Sequence, residues 1–286
     1  MKKVILLTAV FSILISVPSV FAQQTALPSS PFNSQSMNGT TGLYSVSTAH
    51  VGWENKSNFG FDVGYRAVIN GDAGVSHIPA LTLSFFKMLE ISAAYDIQQN
   101  NYYSNNKERN NDDLLLGLKI KIPTKKNTSI AFGTTIQLIN VGNDYNDYQA
   151  YQPYIAVTYT GNFFNMPAST TVMFGKTFYS GGPGNNTNID FGMGFDLILF
   201  PSVFKETVHW IIDFANFGYS DNSWPNNSFY HTGAVHRGIL NTGFRFNLSA
   251  IPPLNKVKLV IDVVFNDLFD AGARSFTAGA VFGFSP

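Results

Sequence analysis

The sequence contains no cysteine. That excludes disulfide scaffolds, thiolate metal sites, iron–sulfur clusters, thiol catalysis and a lipid anchor on an N-terminal cysteine. Charge is scarce as well. Asp, Glu, Lys and Arg make up 13% of the 286 residues, about half the share found in ordinary soluble domains. Neither sign is in excess, with 18 basic and 18 acidic residues, so the basic surplus of a nucleic-acid protein is missing and no nucleic-acid partner is expected. Beyond the N-terminus no stretch is apolar for the length of a bilayer-spanning helix, and apolar residues do not recur with the 3.6 period of a long amphipathic helix.

What is present is apolar and aromatic. Hydrophobic residues account for 45% and aromatics for 15%, with 26 Phe. Residues 1–22 read as a secretory signal: Lys2 and Lys3, an apolar stretch over 4–16, then Val20-Phe21-Ala22 before a cut at Gln23. Residues 23–41 are rich in Ser, Gln, Asn and Pro and read as a flexible leader. From residue 42 to 286 the chain alternates strand-like runs with polar connections.

The dominant period is two. Over 58–69, Phe59, Phe61, Val63, Tyr65, Ala67 and Ile69 share one face, and Gly60, Asp62, Gly64, Arg66 and Val68 share the other. The pattern recurs at 189–199, 114–122 and 259–265. A soluble sandwich also alternates, but its outward face carries Lys, Glu and Thr. Here the charges sit with the glycines, and the opposite face is Phe, Leu, Ile and Tyr. Thirteen runs can be drawn: 44–53, 58–69, 79–86, 89–98, 113–122, 129–139, 151–160, 170–179, 188–199, 208–219, 236–248, 257–265 and 275–284. Their connections alternate between short and long, as in bacterial outer-membrane barrels with short periplasmic turns and longer outer loops. The expectation is an all-β, single antiparallel transmembrane β-barrel of about twelve strands, with ten or fourteen as alternatives. Run 44–53 then falls outside the count, as a plug, a hairpin arm or a strand pairing with an unseen fourteenth. Aromatics near run ends (Tyr65, Tyr95, Tyr159, Phe178, Tyr179, Trp210, Phe217, Tyr219 and Phe244) predict two interfacial girdles.

The inward face is expected to carry Asp62, Arg66, Glu90, Asp96, Lys119, Lys121, Asp190, Asp196, Asp213, Arg245 and Asp262, seven acids against four bases. Two outcomes are open: a water-filled pore with slight cation preference, or a salt-bridged network that fills a narrow lumen. Catalysis has little support. His231 and His236, with Asp221, Ser223 and Ser228 nearby, read as loop residues, His77 and His209 make no better case, and no catalytic site is assigned. Asn143, Asp144 and Asp147 read as a solvated turn rather than a calcium loop. No phosphate loop or dinucleotide fingerprint occurs. No metal and no cofactor are expected.

The last run, SFTAGAVFGF, places Phe276, Ala278, Ala280, Phe282 and Phe284 on one face. It resembles the C-terminal assembly signal of bacterial outer-membrane β-barrel proteins, small porin-like barrels among them, although Ser285 and Pro286 trail the closing aromatic. The resemblance implies a Gram-negative-type outer membrane and recognition by the barrel-assembly machinery through this strand, with Phe276, Phe282 and Phe284 as the signal. A second segment, 41–52, is similar to the opening of certain barrels linked to surface polysaccharide, with Val46 or Ser47 where that motif has Pro. The expected partners are a lipid bilayer and small solutes, and the expected function is a narrow porin-like channel for small hydrophilic solutes. The alternative is a non-conducting, adhesin-like surface protein that binds host or matrix through Tyr102, Tyr103, Tyr145, Tyr148, Tyr151 and Trp224.

Overall fold

A computed structural model describes residues 33–69, 75–98, 112–124, 127–139, 148–180, 188–219, 238–251, 254, 257–269 and 274–285. The signal-peptide reading of 1–22 and residues 23–32 of the leader lie outside these. The strands are β1 (Phe59–Ile69), β2 (Val75–Phe85), β3 (Leu89–Gln98), β4 (Asp113–Ile122), β5 (Thr128–Ile139), β6 (Tyr148–Phe163), β7 (Met166–Gly175), β8 (Phe178–Ser180), β9 (Asp190–Ile198), β10 (Val208–Ala215), β11 (Ile239–Asn247), β12 (Lys258–Asn266) and β13 (Ser275–Phe284), with a one-turn helix α1 (Pro201–Phe204) between β9 and β10.

All thirteen belong to one antiparallel sheet. β1 pairs with both β2 and β13, and β5 pairs with β6, so the sheet closes on itself. β7 and β8 both pair with β6. They form one broken stave, which leaves a twelve-stave barrel. Closure matters because lipid offers main-chain groups no hydrogen-bond partner, so an open edge would leave a row of them unsatisfied.

The period-two pattern becomes an outside and an inside. Val63, Tyr65 and Ile69 on β1, Leu81 on β2, Leu116, Leu118 and Ile120 on β4 and Phe132 on β5 point outward and are exposed. Between them, Asp62, Arg66, Thr82, Ala80, Leu115 and Lys119 are buried. The apolar side thus faces away from the lumen, where a bilayer covers it. At the closing seam Phe282 and Phe284 of β13 lie on this outer face, and Phe284 packs on Phe61 at 6.1 Å. Phe276 packs on Phe265 at 5.4 Å.

Three expectations about the elements are corrected. First, of the options open for residues 44–53 the structure takes the plug and not the strand. They join residues 33–41, read above as flexible leader, inside the barrel, where nearly all of 34–54 is buried. Barrel strands begin at Phe59 rather than near 42. Second, 161–169 is not a connection: β6 and β7 run through it and turn at Phe164 and Asn165. Both residues have positive φ (48° and 62°), as do Phe86 (54°) and Lys87 (61°) between β2 and β3. This is the geometry whose twist suits two-residue hairpins, usually supplied by Asn-Gly. Phe in that position is not a turn signal. The Phe164 ring rests on Phe163 at 4.5 Å, a contact that accompanies the strained backbone. Third, β10 stops at Ala215, and Phe217 and Tyr219 turn into the lumen instead of joining a girdle.

The outward face predicts its own test. Leu116→Arg, which aims a cation at the belt, should lower the stability of the lipid-embedded barrel by roughly 2–4 kcal/mol in urea unfolding. The wild type should run faster on a gel before boiling than after it, and an unchanged mobility would contradict a closed barrel.

Candidate functional site: the filled lumen

All eleven charged residues expected on the inward face project to the inside. Asp62, Arg66, Glu90, Asp96, Lys119, Asp190, Asp213, Arg245 and Asp262 are buried, and Lys121 and Asp196 are nearly so. Charges withdrawn from water need partners, and the wall supplies them. Lys119 Nζ lies 2.9 Å from Glu90 across β3 and β4. Lys258 Nζ lies 2.7 Å from Asp62. Arg245 joins Asp262 (2.9 Å) to Asp196 (3.0 Å), and Asp196 in turn meets His209 Nδ1 at 2.5 Å. Arg66 approaches Asp262 at 3.8 Å. His209, given no role from the sequence, lies on β10 inside an ion-pair chain.

Three acids toward the long-loop half of the barrel are handled differently. Asp190 accepts from Gln152 and Thr177 (2.8 and 2.5 Å). Asp113, opposite Asp96 in the β3–β4 register, accepts from Gln137 at 2.8 Å. Asp213 accepts from Asn241 at 2.8 Å and has no cationic partner among the described residues.

Lys258 was missed in the sequence reading. It shares parity with Val260, Asp262 and Val264, so the alternation itself places it inward. The larger omission is the extent of the plug, segment 34–53, of which the sequence suggested only 44–53. It makes no ladder with any stave, and its isolated bridges, Gln35 with Thr41 and Gly42 with Ser47, are internal. It is held by the wall's side chains. Ser34 Oγ donates to Asp262 (2.7 Å) and Gln35 Nε2 to Thr82 (2.7 Å). Thr41 donates to Glu90 through both its N–H (2.7 Å) and its hydroxyl (2.5 Å), and Lys119 donates to the Thr41 carbonyl (2.9 Å). The main-chain N–H groups of Tyr44, Ser45 and Val46 converge on one oxygen of Asp213 at 2.9, 2.6 and 3.1 Å. At the short-turn end the Trp53 indole donates to Asp62 at 2.8 Å.

The wall is shaped to receive this segment. A Cβ on Gly60 would stand inside the Trp53 ring, and one on Gly64 would collide with the Gln35 amide. A Cβ on Gly194 would come within 2.7 Å of Leu43, and one on Gly192 within 2.8 Å of Val46. The inward glycines therefore do more than leave room for curvature: they accommodate particular plug side chains. Above the plug, Phe217 and Tyr219 pack together at 5.6 Å, and the Tyr219 hydroxyl donates to Gln152. The cavity beneath them measures about 20 Å³, room for a water at most.

At the other end Glu54 lies in the turn that joins the plug to β1. It contacts His50 at 2.7 Å and Lys121 at 2.8 Å. Burial raises its carboxyl, but His50 and Lys121 outweigh that and hold it well below the usual carboxylate range, at about 2.

A closed antiparallel barrel, apolar outside and ionic inside, defines a transmembrane β-barrel of the outer-membrane type. No protein-family model and no curated protein matches the sequence. Among solved structures the chain is similar to the NanC porin (10% identity, TM-score 0.49, 80% of this chain and 100% of that one). It is also similar to the KdgM porin in complex with disordered oligogalacturonate (9%, 0.47, 79% and 99%) and to LpxR from Salmonella typhimurium (8%, 0.44, 78% and 99%). Its class rests on closure, belt and lumen. His231, His236, Asp221, Ser223, Ser228, Asn143, Asp144 and Asp147 lie outside the described residues. Among the described residues no cluster of His, Asp or Glu could hold a metal ion.

Two measurements test the ion-pair reading. Lys119→Met strands Glu90 and should cost about 3–5 kcal/mol of barrel stability, much of it recovered in Lys119→Met/Glu90→Gln. For Glu54, whose carboxyl is depressed on folding, the stabilisation exists above its ordinary range and is lost as pH falls toward the folded value. The stability gap between wild type and Glu54→Gln should thus be full near about pH 5 and close toward about pH 2.

Proposed function

We propose that this chain is an outer-membrane channel for small hydrophilic solutes, narrow and closed in its resting state. One observation supports this above the others. Charged and polar side chains line the inside of a complete barrel, while the chain that fills it belongs to none of the staves. A wall that needed no aqueous path could be packed with apolar side chains at lower electrostatic cost. With the filling displaced, Asp190 and Asp213 face a water path without cationic partners among the described residues, which favours cations in transit. On this reading the short-turn end faces the periplasm and the long connections face outward. β13, with Phe276, Phe282 and Phe284 along it, is the strand that the assembly machinery engages.

A filled lumen also suits the second reading, a non-conducting surface protein acting through its outer loops. Tyr102, Tyr103, Tyr145 and Trp224 fall outside the described residues, whereas Tyr151 sits on the outer face of β6 and is a wall residue. Planar-bilayer recording separates the two. A channel gives brief, discrete cation-preferring steps that become longer in a variant lacking residues 34–53 and lose cation preference in Asp190→Lys. Silence from both the full chain and the shortened variant, with folding verified by gel shift, would leave the surface-protein reading standing.

A further inference from the structure

Resting on the channel reading above, we infer that residues 34–49 are a releasable gate, latched to the wall at Asp213 and tethered at Trp53. The argument starts from what would break on release. Every stave already has both neighbours without the plug, so its departure costs no ladder hydrogen bond. Glu90, Asp62 and Asp262 keep Lys119, Lys258 and Arg245 when the plug leaves. Asp213 does not: apart from Asn241, its described partners are the three plug N–H groups. Three successive N–H donors aimed at one carboxylate oxygen form a backbone nest, a strong way for uncharged chain to hold an anion. Glu90 also accepts from plug donors but keeps Lys119, whereas the described partners of Asp213 come largely from the plug and include no cation.

The plug's composition fits movement. Between Val4 and Trp53 the chain has no Asp, Glu, Lys or Arg, so the segment can pass between lumen and water with its hydroxyls and amides rehydrated and without transferring a charge. Trp53 is different. It is buried in the cradle of Gly60 and Gly283 and donates to Asp62, and the following turn at Asn55 and Lys56 is exposed. The Trp53 end anchors the segment while the part around Asp213 swings. The glycine hollows at Gly192 and Gly194 give it a defined place to return to.

The absence of native cysteine makes the test clean. Val46 Cγ2 lies 2.8 Å from where a Cβ on Gly192 would stand, which puts the two Cβ atoms about 4 Å apart, within disulfide reach. Val46→Cys/Gly192→Cys is reconstituted as the full chain in planar bilayers, oxidised and then reduced. Oxidised protein should be silent, and reductant should restore openings, with neither single-cysteine variant responding. Asp213→Asn, which swaps a charged acceptor for a neutral one, should raise open probability about ten-fold. Openings of equal frequency in the oxidised and reduced double variant would overturn the gate while leaving the channel intact. If wild type, Asp213→Asn and the reduced double variant are all silent though folded, the channel reading falls and takes the gate with it.

Discussion

Charge enclosed by a closed ladder is the constraint on which the rest of this structure depends. Lipid forces the main chain to satisfy itself, which β5–β6 and β1–β13 accomplish by closing the sheet. Closure seals an interior, and alternation then delivers every second side chain into it. Once Asp62, Glu90, Lys119, Arg245 and Asp262 are inside, they must either meet bulk water or meet one another. In this state they meet one another, and residues 34–53 occupy the space that remains.

The lumen is consequently organised in two ways along its length. Toward the short turns, acids and bases neutralise each other directly, with Lys258 on Asp62, Lys119 on Glu90 and Lys121 on Glu54. Toward the long connections, Asp190, Asp213 and Asp113 rest on amides, a hydroxyl and main-chain N–H groups. A direct ion pair tolerates the loss of the plug. A carboxylate satisfied by the plug's own backbone does not, and this difference gives the filling a mechanical role beyond occupying volume.

Legibility in the sequence varied with the kind of interaction. Parity alone identified the lumen side of β1 and β9 and would also have found Lys258, had position 258 been counted with Asp262. Parity could not show that Phe217 and Tyr219 leave the strand and fold over the plug, because an aromatic at a strand end reads the same whether it meets lipid headgroups or a lumen. The β6–β7 turn was invisible for a different reason. Its left-handed residues are Phe164 and Asn165, and Phe carries no turn signal.

What the sequence determined by itself was the alternation, and with it the barrel, its greasy exterior and the charges within, since a side chain's face in a strand depends only on its position along the chain. Only the tertiary structure decided where residues 34–53 go. Ser, Thr, Gln and Asn hydrogen-bond equally well to water and to wall carboxylates, so their composition describes a flexible leader as faithfully as a plug. Asp213, Glu90 and the hollows at Gly60, Gly64 and Gly194 break that tie, and they come together only when strands distant in sequence close around a common axis.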